Sequence, residues 1–544
     1  MNSNGTNNDK PWEAAARKTE EDEVIKKASE LGLGYINLDG YPFETETLTI
    51  IPLDISKEQQ IVSYFRDGKK IKVAILEPGD EINQMLDEIS ETTRYKFELN
   101  LASKSSITYA IKMYELVAPK KAEKAAKIEG AEVFEKEIKH LTDLKEKINT
   151  VPTTQIVDLI LGGAMATSAS DVHIEPRANN VEVRYRIDGV LHDIVKLSKE
   201  VYSPIISRIK FLSALKMNVS DMPQDGKFYL KDKNGKATDI RTSVIPTIWG
   251  ENIVLRIFGT EATSLNLENL GFKDADSEIL NRNIAKTNGM ILVTGPTGSG
   301  KTTTLYAILN KLNKEEVKII TLEDPVEYFL EGISQSQVEP ESGYSFAIGL
   351  KSILRQDPDI LMVGEIRDFE TAEIATHAAL TGHLVLSTTH TNDAFGAIPR
   401  LVDIGIKPFL IINSLSLVIA QRLVRKICPA CKKEYRIDKA MQKQIEDIIS
   451  GMPKERRPKK IPEKLLKAKG CLKCNNTGYQ GRIGIFELFE ITKEFEDLIL
   501  KKGTAFDFRD KAKKIGMLSM LEDGLLKVLD GVTTIEELWR VTNE

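Results

Sequence analysis

Apolar positions along the chain change their period several times, and each change marks a new segment. Glu21–Leu31 carries apolar residues at helical spacing. Val73–Leu76 reads as a short strand, Glu81–Ser90 as a helix and Tyr95–Leu99 as a further strand, which predicts a small α/β unit over residues 21–115. Gln155–Thr167 is again helical. Val181–Ile187 and Val190–Ile194 flank an Asp188-Gly189 turn and predict a hairpin, and Thr238–Val244 and Ile253–Phe258 add strands to a second α/β unit, 151–262. Between residues 263 and 425, short apolar runs at Gly289–Thr294, Val317–Leu322, Ile360–Gly364 and His383–Thr388 alternate with helical patterns. A strand buried on both faces has no polar side to show. This rhythm therefore predicts a parallel sheet covered by helices on both faces. Residues 426–490 carry the cysteines, and 491–544 form an amphipathic helical tail.

Polar stretches separate these units. Residues 1–20 are poor in apolar side chains and predict a disordered tail. Pro119–Lys147, within a linker spanning 116–150, is rich in Ala, Glu and Lys and predicts a solvated linker helix ended by Pro152. No apolar run approaches the 18 or more residues of a membrane span, and the longest, Pro408–Ala420, is broken by Asn413, Ser414 and Ser416. The opening MNSNGTNNDKPWE has no apolar signal core, so a cytoplasmic location is expected.

Composition narrows the function. Of 544 residues, 41% are hydrophobic and 28% charged, enough apolar material for several globular domains. The net charge of −5 speaks against a chain whose main work is neutralising nucleic-acid phosphates, so no nucleic-acid partner is expected.

Gly295-Pro296-Thr297-Gly298-Ser299-Gly300-Lys301-Thr302 fits G-x-x-x-x-G-K-[ST], between an apolar strand and a helical stretch that begins at Thr303. Glycines let backbone amides approach phosphate oxygens, and the helix start adds partial positive charge. Lys301 suits the terminal phosphates and the Thr302 hydroxyl suits Mg²⁺. Two apolar strands then end in acids: Thr321-Leu-Glu323-Asp324-Pro-Val-Glu327 and Ile360–Gly364 followed by Glu365-Ile-Arg367-Asp368. Hydrolysis needs one carboxylate to activate water and others around the metal ion. Glu365 is the expected water activator, Glu323 its rival, and Asp324 a candidate at Mg²⁺. His383 opens and His390 closes another apolar run, so His390 is placed where it could sense a terminal phosphate; an ordinary capping histidine is the competing reading.

Cys428-Pro-Ala-Cys431 and Cys471-Leu-Lys-Cys474 are two C-x-x-C knuckles that use every cysteine in the chain. Two such turns complete a tetrahedral thiolate shell, the preference of a structural Zn²⁺. The long spacing implies a helical excursion around Asp438–Gly451.

In this order the motifs resemble those of the ATPases of type II secretion systems and type IV pilus assembly, from about residue 151 to the end and more weakly over 21–115. The resemblance is carried by Ser170-Asp-Val-His-Ile-Glu-Pro176, Arg184-Tyr-Arg-Ile-Asp-Gly189, Glu323–Glu327 as Asp box, Gly364–Asp368 as Walker B and Thr381–Asn392 as His box. It implies an α/β multidomain chain: a RecA-like P-loop core with a parallel sheet, a preceding PAS-like domain, a small N-terminal α/β domain, a four-cysteine zinc insert and a helical C-terminus. It further implies a homo-hexamer using ATP and Mg²⁺, with Arg241 and Arg256 supplied to the nucleotide from the preceding domain. The implied partners are an inner-membrane platform protein and a docking protein at the cytoplasmic face. The cysteines and Thr477–Glu487 resemble assembly rather than retraction ATPases. Asp221 and Lys227 depart from the family, which usually has arginine there. Some N-terminal domains of the family bind cyclic di-GMP; this chain has only Glu30-Leu-Gly-Leu-Gly34 and one copy of the domain, so a plain docking domain is expected. A DNA-translocating RecA-type ATPase and a catalytically dead scaffold are the alternatives.

Overall fold

The computed structural model describes residues 11–117, 131–231, 237–258, 266–339 and 342–542, apart from positions 44, 49, 52, 94 and 149. The chain divides into two compact units, 1–125 and 126–544.

In the first unit, alternation of apolar residues builds a four-stranded sheet in the order 34–35, 96–101, 70–75, 61–67, with Ile61, Ile71, Val73, Ile75 and Leu101 fully buried beneath helices. The helix Pro11–Leu31 starts well before the expected Glu21. The expectation of a disordered 1–20 is thereby corrected for 11–20, while 1–10 lie outside the described residues. The reason is side-chain pairing across the fold: Glu20 accepts from Ser105 Oγ (2.7 Å), and Glu21 accepts from Ser103 Oγ (2.6 Å) and Tyr35 Oη (2.6 Å).

The second unit opens with two short helices, Ala131–Glu137 and Leu141–Lys147, where a solvated linker helix is expected. Ala131, Ile138 and Leu144 are buried in the same apolar cluster as the helix Ile156–Ala166. Glycine makes this approach possible. A Cβ on Gly162 would lie 2.5 Å from the Ala131 carbonyl oxygen, and one on Gly163 would lie 2.7 Å from a Leu144 methyl. Charge patterning in 131–147 therefore marks one outer face and not a free linker; 118–130 lie outside the described residues.

Next comes a six-stranded antiparallel sheet in the order 190–198, 180–187, 171–176, 250–258, 237–247, 224–231. Strand alternation sends Val172, Ile174, Val183, Tyr185, Ile253 and Leu255 into the core with helices Ile156–Ala166 and Tyr202–Leu212. The opposite face is polar.

The core sheet has seven strands in the order 334–337, 319–323, 360–363, 384–389, 289–294, 415–427, 479–490, all neighbours parallel except the last pair. Every residue of 289–294, 319–323, 360–363 and 384–389 is buried, as continuous apolar runs require. Parallel pairing brings the carboxyl ends of these four strands to one edge. The fold is RecA-like α/β. Strand Leu415–Ile427 continues outward to the cysteines, and helix Lys439–Gly451, capped by Asp438, fills the excursion between the two knuckles. No helix among the described residues is long and apolar enough to cross a membrane.

Candidate nucleotide site and cysteine knuckle

The phosphate-type loop lies between the strand Gly289–Thr294 and the helix Lys301–Leu312. Gly295, Gly298 and Gly300 have φ of 143°, 78° and 87°, a region side chains disfavour. At Gly295 a Cβ would also sit 2.4 Å from the Gln421 carbonyl oxygen, and at Gly300 2.8 Å from Gln421 Nε2. The loop is thus pressed onto the next strand, with the helix start beside it. Lys301 Nζ donates to the carbonyls of Gly295 (2.9 Å) and Pro296 (3.1 Å). Burial lowers the pKa of its ammonium, against the pull of Glu365. Thr302 and Thr303 stand in the first helical turn, Thr297 is exposed on the loop, and the buried Ser299 hydroxyl has no hydrogen-bond partner. A glycine cradle, a cation and an orphan hydroxyl fit a phosphate chain.

The acids arrive on the neighbouring strands and differ in setting. Glu323 is buried and fully engaged: it accepts from Tyr306 Oη, from Thr321 Oγ1 (2.5 Å) and from Gln335 Nε2 (3.2 Å). It fastens the helix after the phosphate loop to the segment Asp324–Glu327, with Asp324 exposed and joined to Pro325 by a cis peptide. Glu365 has a different environment. One oxygen lies 2.5 Å from Arg367 Nη2, the other 3.1 Å from His390 Nε2, and its side chain is 12% exposed. Its backbone is clamped from both sides: Gly364 N donates to Leu322 O (2.7 Å), Thr388 Oγ1 donates to Gly364 O (2.7 Å) and Ile366 N donates to Thr388 O (3.0 Å). Thr294 Oγ1 accepts from Thr391 N (2.8 Å), joining the phosphate strand to the residue after His390. Tertiary structure therefore gathers Lys301, Glu365 and His390 at one edge. His383 lies apart, its Nδ1 3.0 Å from Ala378 O at the opposite end of the strand.

Arg241 and Arg256 occupy the polar face of the antiparallel sheet. Register aligns one row across five strands: Arg186, Asp171, Arg256, Arg241, Lys227. Arg241 Nη2 donates to Val326 O (3.0 Å) in the core, and its guanidinium stacks on Phe258 at 4.3 Å. Burial raises the pKa of Glu327, while Arg241 and Arg256 oppose the rise, so both arginines face the 324–327 segment. Lys227 stands in this row as an exposed cation, whereas Asp221 lies in an exposed loop.

The four cysteine sulfurs lie within 4.8 Å of one another. Cys428–Cys471 measures 4.0 Å, Cys431–Cys474 3.8 Å and Cys471–Cys474 3.7 Å. Four sulfurs each about 2.3 Å from one centre would stand about 3.8 Å apart, so the set fits a tetrahedral Zn²⁺. Burial works to raise the Cys474 thiol, but the amides of Cys471 and Gly478, each 3.2 Å from Sγ, bring its pKa down to about 7. Burial pushes Cys431 up to about 12. The knuckle also touches the antiparallel-sheet domain: Asn475 Oδ1 accepts from Leu141 N (3.1 Å) and Asp188 Oδ2 accepts from Gly481 N (2.8 Å).

A family profile described as "Type II/IV secretion system protein" matches residues 146–540. The chain belongs to this family. It is an ATPase of that family, and a second profile, "MshEN domain", matches residues 31–119. The chain is 39% identical to "Type IV pilus assembly ATPase PilB" of Myxococcus xanthus, over 94% of its length and 89% of the relative's. It is 46% identical to "Type II secretion system protein E" of Pseudomonas aeruginosa, over 74% of its length and 78% of the relative's. Its fold resembles that of the Legionella pneumophila ATPase DotB at TM-score 0.51 and 23% identity, over 72% of this chain and 95% of that one.

The sequence reading of this ATPase missed several residues that hold the site. Gln421 is buried on Leu415–Ile427, its Oε1 accepting from Thr304 Oγ1 (2.6 Å) beneath the phosphate loop. Its signal was a glutamine at the end of an apolar run. Tyr306 and Gln335, which hold Glu323, left no comparable signal, because their partner is distant in sequence.

Proposed function

We propose that this chain hydrolyses ATP to power assembly or extension of a type IV pilus or a type II secretion pseudopilus. The observation that carries the reading is the convergence of Lys301, Glu365 and His390 at the carboxyl edge of the core sheet, facing a domain that presents Arg241 and Arg256. Residues 295–303 bind the phosphates, and Lys301 is drawn to their charge. Mg²⁺, when bound, would neutralise phosphate charge, and Thr302 and Asp324 would hold it. Glu365 accepts the proton of the attacking water, with His390 and Arg367 fixing its carboxylate. Glu323 keeps the 324–327 segment attached to the phosphate-loop helix. Arg241 and Arg256 stabilise charge that spreads onto the transferring group. Cys428, Cys431, Cys471 and Cys474 hold a structural Zn²⁺.

In this reading the chain works as a homo-hexamer at the cytoplasmic face of the inner membrane, turning a platform protein, while residues 31–119 dock to a further component of the machine. The names of the relatives, a pilus assembly ATPase and a secretion system protein, support the choice of machine. Glu365→Gln tests the chemistry. The variant should bind ATP with near wild-type affinity and lose at least about 100-fold in turnover. Wild-type turnover would remove Glu365 from the mechanism.

A further inference from the structure

The row of residues across the antiparallel sheet has four cations and one carboxylate. Asp171 is that carboxylate, set on the strand Asp171–Pro176 between Arg186 and Arg256. It is buried, whereas the Arg256 side chain is 61% exposed. Its Oδ1 accepts from Arg256 Nε at 3.0 Å, and its Oδ2 accepts from Ser170 Oγ at 2.8 Å and lies 3.3 Å from Arg186 Nε. Oδ2 is therefore held by Ser170 and Arg186, which fixes the carboxylate while Oδ1 meets Arg256.

This geometry matters for an arginine that must meet a developing charge. An exposed arginine samples many rotamers, and Arg256 stands directly opposite Arg241, a like charge in the neighbouring strand. Contact at Nε restrains the stem of Arg256 while the side chain stays largely exposed on the side of Glu327. The like-charge neighbour is offset by the same carboxylate.

We infer that Asp171 is a positioning residue for Arg256: it sets the guanidinium for the phosphoryl group without touching the nucleotide. The inference rests on the role given above to Arg256. The motif Ser170–Pro176 thereby acquires a task, since Ser170 holds the carboxylate that holds the arginine.

The full-length protein tests this in a double-variant cycle with Asp171→Asn, Arg256→Gln and both together. The expected result is a loss of about 10- to 100-fold in kcat for Asp171→Asn, with nucleotide Kd within about twofold and an unchanged melting temperature. The double variant should be no slower than Arg256→Gln alone, because without the arginine Asp171 has nothing left to position. Additive losses, or an unchanged kcat in Asp171→Asn, would overturn the proposal. Asp171→Glu keeps the charge but shifts the anchor, and provides a second arm if the asparagine variant does not fold. It should lower kcat at least about threefold, and wild-type kcat there would also overturn the proposal. Arg256→Gln at wild-type rate is a distinct failure: it would remove the role of Arg256 itself.

Discussion

His390 Nε2 lies 3.1 Å from Glu365 Oε2, joining the ends of two adjacent parallel strands. The histidine can therefore act through the carboxylate. His390→Ala should lower kcat about 10- to 100-fold and change ATP affinity little, since the phosphate loop is untouched. Steady-state turnover beside equilibrium binding of a fluorescent nucleotide checks this. A loss confined to affinity would place His390 in binding alone.

Gln421 supports the phosphate loop from beneath. Gln421→Leu removes the acceptor of the buried Thr304 hydroxyl. The unpaired hydroxyl alone should cost about 1–3 kcal/mol. Denaturant unfolding should show that loss, and nucleotide affinity should fall with it. Retained stability together with retained affinity would show that the loop does not depend on this strand.

Glu487 gives stability a pH dependence. Burial raises its pKa to about 7, with Asp393 adding to the rise and Ala394 N and Arg509 opposing it. A carboxyl with a raised folded-state pKa contributes stability that is full below its unfolded value of about 4.5. That contribution is lost as pH rises through about 7, because the buried group must then ionise. Its size is on the order of a few kcal/mol. Glu487→Gln retains an acceptor for Ala394 N (2.9 Å) and should flatten this part of the stability profile, leaving the variant the more stable protein at pH 8. Parallel slopes for both proteins between pH 5 and 8 would refute the assignment.

The cysteine knuckle should couple metal to domain docking. Chelation of zinc should lower the melting temperature and raise the hydrogen exchange of Leu141 N and Gly481 N, the two amides bonded across the contact. Asn475→Gly isolates the docking. Asn475 has φ of 49°, which glycine adopts freely, so metal stoichiometry should hold while Leu141 N loses its acceptor, at about 0.5–1.5 kcal/mol. Unchanged exchange at Leu141 in both cases would separate the knuckle from that domain.

The parts of this protein legible in its sequence are those whose physics is local. The phosphate loop could be read because its glycines, lysine and threonine are consecutive. The cysteine knuckles are two short turns, and the excursion helix Lys439–Gly451 announces itself by Asp438 and its apolar spacing. Buried parallel strands betray themselves as runs with no polar side. Where reading failed, a partner was distant. Residues 11–20 look too polar to order, yet Glu20 and Glu21 meet hydroxyls some 80 positions away. The charged segment 131–147 reads as solvated, yet Gly162 and Gly163 open room for it in a core.

By itself, then, the sequence determined which chemical groups exist and their local conformation: a phosphate cradle, acids at strand ends, two thiolate turns. Tertiary structure alone decided which of these groups meet. It separated Glu323, spent on Tyr306, Thr321 and Gln335, from Glu365, paired with His390 and Arg367. It also put Asp171 beside Arg256 by strand register. The physical reason is that side-chain pairing falls off within a few ångströms, and only the packing of sheets brings residues so far apart in the chain to that distance.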